Sequence, residues 1–275
     1  MSTTKGQGPK PPRRPLSKAA AEPRVQIVCG VSAVLAAFER RPAALRRMWL
    51  MREQVPAFVA LTTALAEARL PFHVTTDLEL ARVSGSARHQ GVVAYFEAPP
   101  SLTPEDVLTR FVGGSAGLAL YLDGVGNPHN LGAIARTAAH FGVDILLQRA
   151  EEGAATMSAA AYRVAAGGLD AVPMVVVHNP VVALQDLRHC GARLIATGAT
   201  ADVALFGPDA PRLDGPVVWL LGEERTGLRD DVAAIADLHV AIPGTGAVES
   251  VNVAAAAAIL LAETHRQRLA AARGR

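Results

Sequence analysis

Six short apolar runs in the C-terminal half constrain this chain most: LALYL (118–122), VDILLQ (143–148), VPMVVV (172–177), ARLIAT (192–197), VVWLL (217–221) and LHVAI (238–242). None alternates polar with apolar residues, as a strand with one wet face would. Runs this uniform are strands buried on both sides, and the stretches between them are long enough for helices. That pattern predicts an α/β fold with a parallel sheet covered on both faces. Half of the residues are hydrophobic and only 4% aromatic, which suits packed α/β layers. In such sheets a ligand sits beyond the carboxyl ends of the strands. Four loops occupy that position, after Leu122, Ile195, Leu221 and Ile242.

The 275 residues suffice for two domains. Residues 24–99 read as a small α/β module. Its strands are VQIVC, LRRMWLM, PFHVT and HQGVVAYF. Its helices are 32–41 with Ser32 as N-cap, much of 53–70, and DLELARVS. Gly91 in the last strand allows close backbone approach. Residues 100–114 read as a linker running into a short helix, and 115–275 as the second domain. Residues 1–23 are expected to be a disordered arm. Five basic and no acidic residues fall within 1–20, while the whole chain holds 27 and 25. Such an arm either attracts phosphate or solubilises the chain.

Several classes are excluded. The longest apolar run, 253–262, is about half of a membrane span. The N-terminus has no apolar core of a secretory signal, so a cytoplasmic protein is expected. Cys29 and Cys190 form neither a disulfide framework nor a zinc site, and read as buried free thiols. Dinucleotide and P-loop glycine fingerprints, a serine elbow and a metal-ligand cluster are all missing.

Three loops instead combine glycines with isolated polar residues: GNPHNLGAIARTA (126–138), LGEERTGL (221–228) and IPGTGAVESVNVA (242–254). Gly222, Gly227, Gly244 and Gly246 let backbone approach a flat, mostly uncharged ligand such as adenosine. Ser250 and Asn252 open the last helix, where both residue types cap free N–H groups.

Together the loops resemble the three motifs of the SpoU/TrmH family of ribose 2′-O-methyltransferases, a branch of the SPOUT superfamily. The resemblance spans about residues 115–270. Asn130 and Arg136 match the Asn…Arg pair of the first motif, Glu224 the glutamate of the second, and Ser250 and Asn252 the Ser-x-Asn of the third. Residues 24–99, with GVSAVLAAFERRP and HQGVVAYF, are similar to the family's L30e-like substrate-binding domain. The resemblance implies a SPOUT domain with a C-terminal trefoil knot, a homodimer, and S-adenosylmethionine bound in the knot. Backbone contacts to that cofactor fall on Gly222, Ile242 and Val251, with Thr197 and Leu221 as neighbouring walls. It implies a tRNA or rRNA ribose as substrate. A base nitrogen as methyl acceptor, or an inert RNA-binding protein, are the competing readings. Arg136 is either a general base or a fork for phosphate or a developing alkoxide. Neutralising a guanidinium at pH 7 costs about 7.5 kcal/mol at about 1.36 kcal/mol per pH unit, a cost that only the general-base role carries. Asn130 then orients Arg136 or the ribose, and Glu224 (or Glu223 beside it) anchors Arg136 or the loop. Ser250 and Asn252 join the substrate side while capping the helix. His129 is a further acid–base candidate. RRPAALRR (40–47) is either a phosphate track or a solvated edge. One departure is RVAAGGLD, with Ala165 and Ala166 where many relatives carry serine or threonine.

Overall fold

Strands and helices alternate from the first described residues. The computed structural model describes residues 25–113, 117–150, 153–199, 201, 203–224 and 226–273, so the arm expected over 1–23 lies outside them. β1 (Val25–Cys29) ends at Gly30, whose φ of 96° turns the chain directly into α1 (Val31–Arg40). Ser32 is therefore inside the first turn and does not cap the helix as expected. After β2 (Leu45–Leu50), a 3-10 stretch over Arg52–Phe58 holds Pro56 and delays α2 to Val59–Glu67. β3 (Phe72–Val74) precedes α3 (Asp77–Ser84), whose cap Thr76 accepts a bond from the Glu79 N–H. β4 (Val92–Glu97) starts only after Gly91, where φ is 78°. These strands form a sheet in the order β1-β4-β2-β3, antiparallel except for β2 with β3.

α4 (Pro104–Gly113) lies within the segment expected as a linker. It presses Val107 and Phe111 onto the second sheet. That second region runs β5 (Leu118–Leu122), α5 (Pro128–His140), β6 (Ile145–Arg149), α6 (Ala159–Ala165), α7 (Gly168–Ala171), β7 (Met174–Val177) and α8 (Pro180–His189). It continues with β8 (Arg193–Thr197), β9 (Val203–Ala204), β10 (Val217–Leu221), α9 (Asp230–Ala233), β11 (Leu238–Ala241) and α10 (Val253–Arg273). All seven strands are parallel, in the order β7-β6-β5-β10-β8-β11-β9. Every residue of β5 and β10 is buried. Alternate side chains of these strands enter two different cores, one under α5 and α10 and the other under α4, α8 and α9. This is the layered sheet that the apolar runs predict.

The two regions share one core. Val28, Met48 and Phe96 belong to the same cluster as Leu131, Tyr162 and Leu260. At their border Arg41 gives Nε to Asp170 Oδ1 at 2.8 Å and Nη1 to the Glu97 carbonyl at 2.7 Å, and a further N–H to Gln26. Gln26 in turn donates to the Tyr162 hydroxyl, and the Cys29 thiol to the Ala159 carbonyl at 3.3 Å. Arg41 is thus a structural residue and not part of a phosphate track. Arg46 pairs with Glu97, while Arg47 stands 5.5 Å from the Trp49 ring centre. Both cysteines are free, but Cys190, the C-cap of α8, is exposed where burial was expected.

Candidate active site

The chain runs from β5 through β6 to the β7 edge, then jumps to β8 on the other side of β5; β10 later fills the gap. The crevice at such a switch of direction is where open α/β sheets bind ligands. Three loops meet there. The first leads into α5. Asn127 is the N-cap, its side chain accepting from His129 N–H at 2.9 Å, and Pro128 takes the first helical position. Asn130 is therefore a first-turn residue with its side chain free of capping duty.

The second loop follows β10 and closes on itself. Glu223 and Gly227 exchange both backbone bonds, at 3.1 and 2.9 Å. A Cβ on Gly222 would stand 2.1 Å from the Gly227 carbonyl carbon, so only glycine fits. This turn carries Glu224 at its tip.

The third loop, 242–252, is exposed beyond Ile242 and ends at Asn252. The Asn252 Oδ1 accepts from Ala254 and Ala255 N–H at 2.9 and 3.3 Å, and so caps α10.

These loops converge on one oxygen. Glu224 Oε1 accepts from Asn130 Nδ2 at 3.1 Å, Asn252 Nδ2 at 2.6 Å and the Val253 N–H at 3.3 Å. Asn252 Nδ2 also lies 3.1 Å from Asn130 Oδ1. A carboxylate at the N-terminus of a 21-residue helix is further favoured by the helix dipole. The structure thus brings together Asn130, Glu224 and Asn252, from sequence positions far apart.

It does not bring in Arg136 or Ser250. Six residues along an α-helix is about 600° of rotation, so Arg136 points about 120° away from Asn130. Arg136 is exposed and makes no hydrogen bond or ion pair with the described residues. Glu224 and Asn130 therefore bond Asn252 and each other, in place of the expected arginine. Ser250 is exposed, has no hydrogen bond to the described residues, and lies three residues before α10, so it does not cap it. His129 is likewise exposed.

Three of the expected cofactor positions share the carboxyl edge of the sheet. β10, β8 and β11 are neighbours, so Gly222, Thr197 and Ile242 stand at three adjacent carboxyl ends. Thr197 gives its hydroxyl to the Leu220 carbonyl at 3.1 Å. The Leu221 side chain is in the core, and its carbonyl accepts from Asp123 N–H at 2.8 Å. Val248 and Val251 are 73% and 43% exposed, which leaves apolar surface uncovered beside this crevice.

One group at the site has no counterpart in the sequence reading. Asp123, at the end of β5, is buried and accepts from the Tyr121 hydroxyl at 3.2 Å and the Arg229 N–H at 2.9 Å; it also pairs with Arg149 at 2.7 Å. Burial first, and then this carboxylate, hold the Tyr121 phenol well above its ordinary value. An acid closing a fully apolar strand was the available signal.

Residues 117–262 match the SpoU rRNA Methylase family, and residues 27–102 match the family described as RNA 2′-O ribose methyltransferase substrate binding. The chain belongs to the SpoU rRNA methylase family. This SpoU protein is 33% identical over 244 residues to the 23S rRNA (guanosine-2′-O-)-methyltransferase RlmB of Nitrosomonas europaea, covering 88% of this chain and 92% of that one. It is 40% identical over 191 residues to the RlmB of Xanthomonas axonopodis pv. citri, covering 69% and 75%. An AdoMet-bound rRNA methyltransferase from Sinorhizobium meliloti superposes with a TM-score of 0.70 at 25% identity, over 88% of this chain and 87% of that one. The SpoU methyltransferase AviRb of Streptomyces viridochromogenes shares the fold, with a TM-score of 0.69 at 24% identity over 88% and 90%. Among the described residues no helix of this SpoU chain is long and apolar enough to cross a membrane.

Proposed function

We propose that this chain methylates a ribose 2′-hydroxyl in structured rRNA or tRNA, with S-adenosylmethionine as methyl donor. The observation that carries this reading is the Asn130–Glu224–Asn252 cluster, set between a glycine-built turn and three adjacent strand ends in a SpoU chain. The residues fit the cofactor. Gly222, Ile242 and Val251 offer backbone groups, and the exposed valines offer apolar cover to a flat adenosine. When bound, S-adenosylmethionine supplies an electrophilic methyl group.

The chain's own task is orientation, which replaces a costly bimolecular encounter. Glu224 Oε1 is committed to three N–H donors, which fix the carboxylate. Oε2 makes no bond to the described residues and accepts from the ribose hydroxyl. Asn130 and Asn252 hold that carboxylate from two sides. Arg136 acts as a cation that pairs with the target's phosphate or the developing alkoxide, and Ser250 contacts the substrate from the exposed loop. We further propose a homodimer that covers Val248 and Val251, and a trefoil knot in which the C-terminal segment passes through a loop. Cytoplasmic residence follows from this RNA-directed role.

Calorimetry with S-adenosylmethionine and a map of 2′-O-methyl sites in total RNA, with and without this gene, test the reading. One lost site, restored by wild type but not by Arg136→Ala, is expected. Methylation on a base nitrogen, or no cofactor binding, overturns it.

A further inference from the structure

A cavity of about 330 Å³ lies beside the cluster, on the β5 and β6 side of β10, whereas β8 and β11 lie on its other side. It opens between the loops after β5, β6 and β10, and its side chains include Asp123, Arg149, Glu223, Thr226 and Arg229, with four glycines among its lining. Its size is at the small end for ligand pockets, which run from roughly 300 to 1,000 Å³. Glu223 lines it while Glu224, the next residue, holds Asn130 and Asn252. A ribose held at Glu224 therefore has the cofactor strands on one side and this cavity on the other.

The charges select the kind of ligand. Asp123 is paired with Arg149 at 2.7 Å, and the Arg229 guanidinium grips Asp231 at 2.6 and 2.9 Å. Three carboxylates, Glu223 included, against two guanidiniums leave no net attraction for a phosphate. No group of three metal-binding side chains exists among the described residues. The cavity instead suits a neutral, flat heterocycle with hydrogen-bonding edges, since its glycines keep the wall low.

Glu223 supplies the reading edge. Its backbone is fixed by the paired bonds to Gly227, and its Oε2 accepts from the Thr226 hydroxyl at 2.8 Å. The carboxylate is thereby aimed but not consumed, because an ionised carboxylate has about four acceptor positions. Guanine presents two adjacent N–H donors, N1–H and N2–H, to such a carboxylate. Adenine and cytosine place an acceptor beside their amino group, and uracil has a single N–H between two carbonyls.

We infer that this cavity receives the base of the nucleotide whose ribose is methylated, and that Glu223 selects guanine; the inference rests on the ribose-methylation reading above. Asp123 is a positioning residue: its bonds to Arg149 and to the Arg229 N–H tie the loops after β6 and β10 to β5.

The test uses the full chain and RNA oligonucleotides spanning the mapped site, with guanosine or inosine at the target; inosine lacks only the N2 amino group. Wild type should prefer guanosine by about tenfold or more in kcat/KM, the discrimination expected of one good bidentate contact. Glu223→Gln should lose about tenfold or more on guanosine and bring the guanosine-to-inosine ratio near one. Its S-adenosylmethionine affinity and melting temperature should match wild type. A ratio that Glu223→Gln leaves unchanged, an equal rate on inosine with wild type, or a mapped target other than guanosine overturns the base assignment while ribose methylation stands. Failure of wild type to bind the cofactor or to methylate any ribose overturns the underlying reading instead.

Discussion

Asn252 does two jobs at once, and two substitutions separate them. Its Oδ1 caps α10 and its Nδ2 holds Glu224. Asn252→Ala removes both. Loss of an N-cap costs about 1 kcal/mol, in a range of about 0.5–2. Because the Glu224 bond is exposed, we put the whole deficit at about 1–2 kcal/mol. At about 2–4 °C per kcal/mol for a chain of this size, the melting temperature should fall by about 2–8 °C. Asn252→Asp keeps the capping oxygen but sets a second carboxylate where Nδ2 now lies 2.6 Å from Glu224 Oε1. Two like charges 4 Å apart repel by about 1 kcal/mol in water and about 4 kcal/mol at an effective dielectric of 20. The folded pair then binds a proton more tightly than the unfolded chain. Its stability is thus present at low pH and lost as pH rises through that raised titration. Thermal unfolding at pH 5, 6.5 and 8 in low salt should show an Asn252→Asp deficit that grows with pH and shrinks in 0.5 M salt. A deficit equal at pH 5 and 8 would refute the convergence on Glu224. No deficit in Asn252→Ala would refute the cap.

Arg136→Ala should leave melting temperature and cofactor affinity near wild type, since the exposed side chain has no partner among the described residues, while methyl incorporation is lost. Arg136→Lys, assayed the same way, should recover little if the planar fork matters; strong rescue would leave charge alone as its role. Gly168→Ala puts a Cβ 2.6 Å from the Ala135 carbonyl oxygen and 2.7 Å from Arg136 Cα; overpacking of about 1–3 kcal/mol should lower the melting temperature, and the displaced α5 should lower activity too. Arg41→Ala breaks a partly buried ion pair with Asp170, for which up to about 3–5 kcal/mol is expected, seen in denaturant unfolding. Burial already raises the Asp170 carboxyl, against the pull of Arg41. Without Arg41 it rises further, so the variant's deficit should shrink toward pH 4 and widen toward pH 8.

The parallel sheet is legible because strands such as LALYL and VVWLL are apolar at every position and end in glycine or acid. The same uniformity hides their order: an all-apolar strand says that both faces are covered, but not by which neighbours. Helix starts are harder. Ser32 looks like an opening, yet Gly30 with its positive φ sets the real one, and the Asn127–Pro128 pair opens α5. α7, α9 and β9 have four, four and two residues, too few for any periodicity. Of the site, the three glycine-and-polar loops and Asn252 as a helix cap can be picked out from the residues, while Asn130 and Glu224 are singled out only by resemblance. Arg136 can be picked out only by resemblance, since nothing it touches among the described residues marks it as functional. Asp123 escapes, and Glu223 is weighed only as a substitute for Glu224, because their meaning depends on β5, β6 and β10 being neighbours.

That neighbourhood also explains why reactive side chains can sit on exposed loops without losing accuracy. β10 is bonded on both edges, to β5 and β8, and buried on both faces. Its Trp219 indole donates to Thr264 in α10 at 3.0 Å, and Thr264 donates onward to the Leu260 carbonyl at 2.8 Å. Strand and helix are thus pinned to each other three turns below the Asn252 cap. Glu224 leaves the top of β10 and Asn252 the start of α10, so the 2.6 Å bond between them closes a loop already fixed at its base. Asn130 adds α5, which packs on α10 in the same core. Rigidity here comes from the buried strand and helices, and the exposed amides only transmit it to the carboxylate. Conservative changes at Trp219 or Thr264, far from any substrate, should therefore disturb turnover as well as stability, whereas changes at exposed positions of the 243–249 loop should act on binding alone.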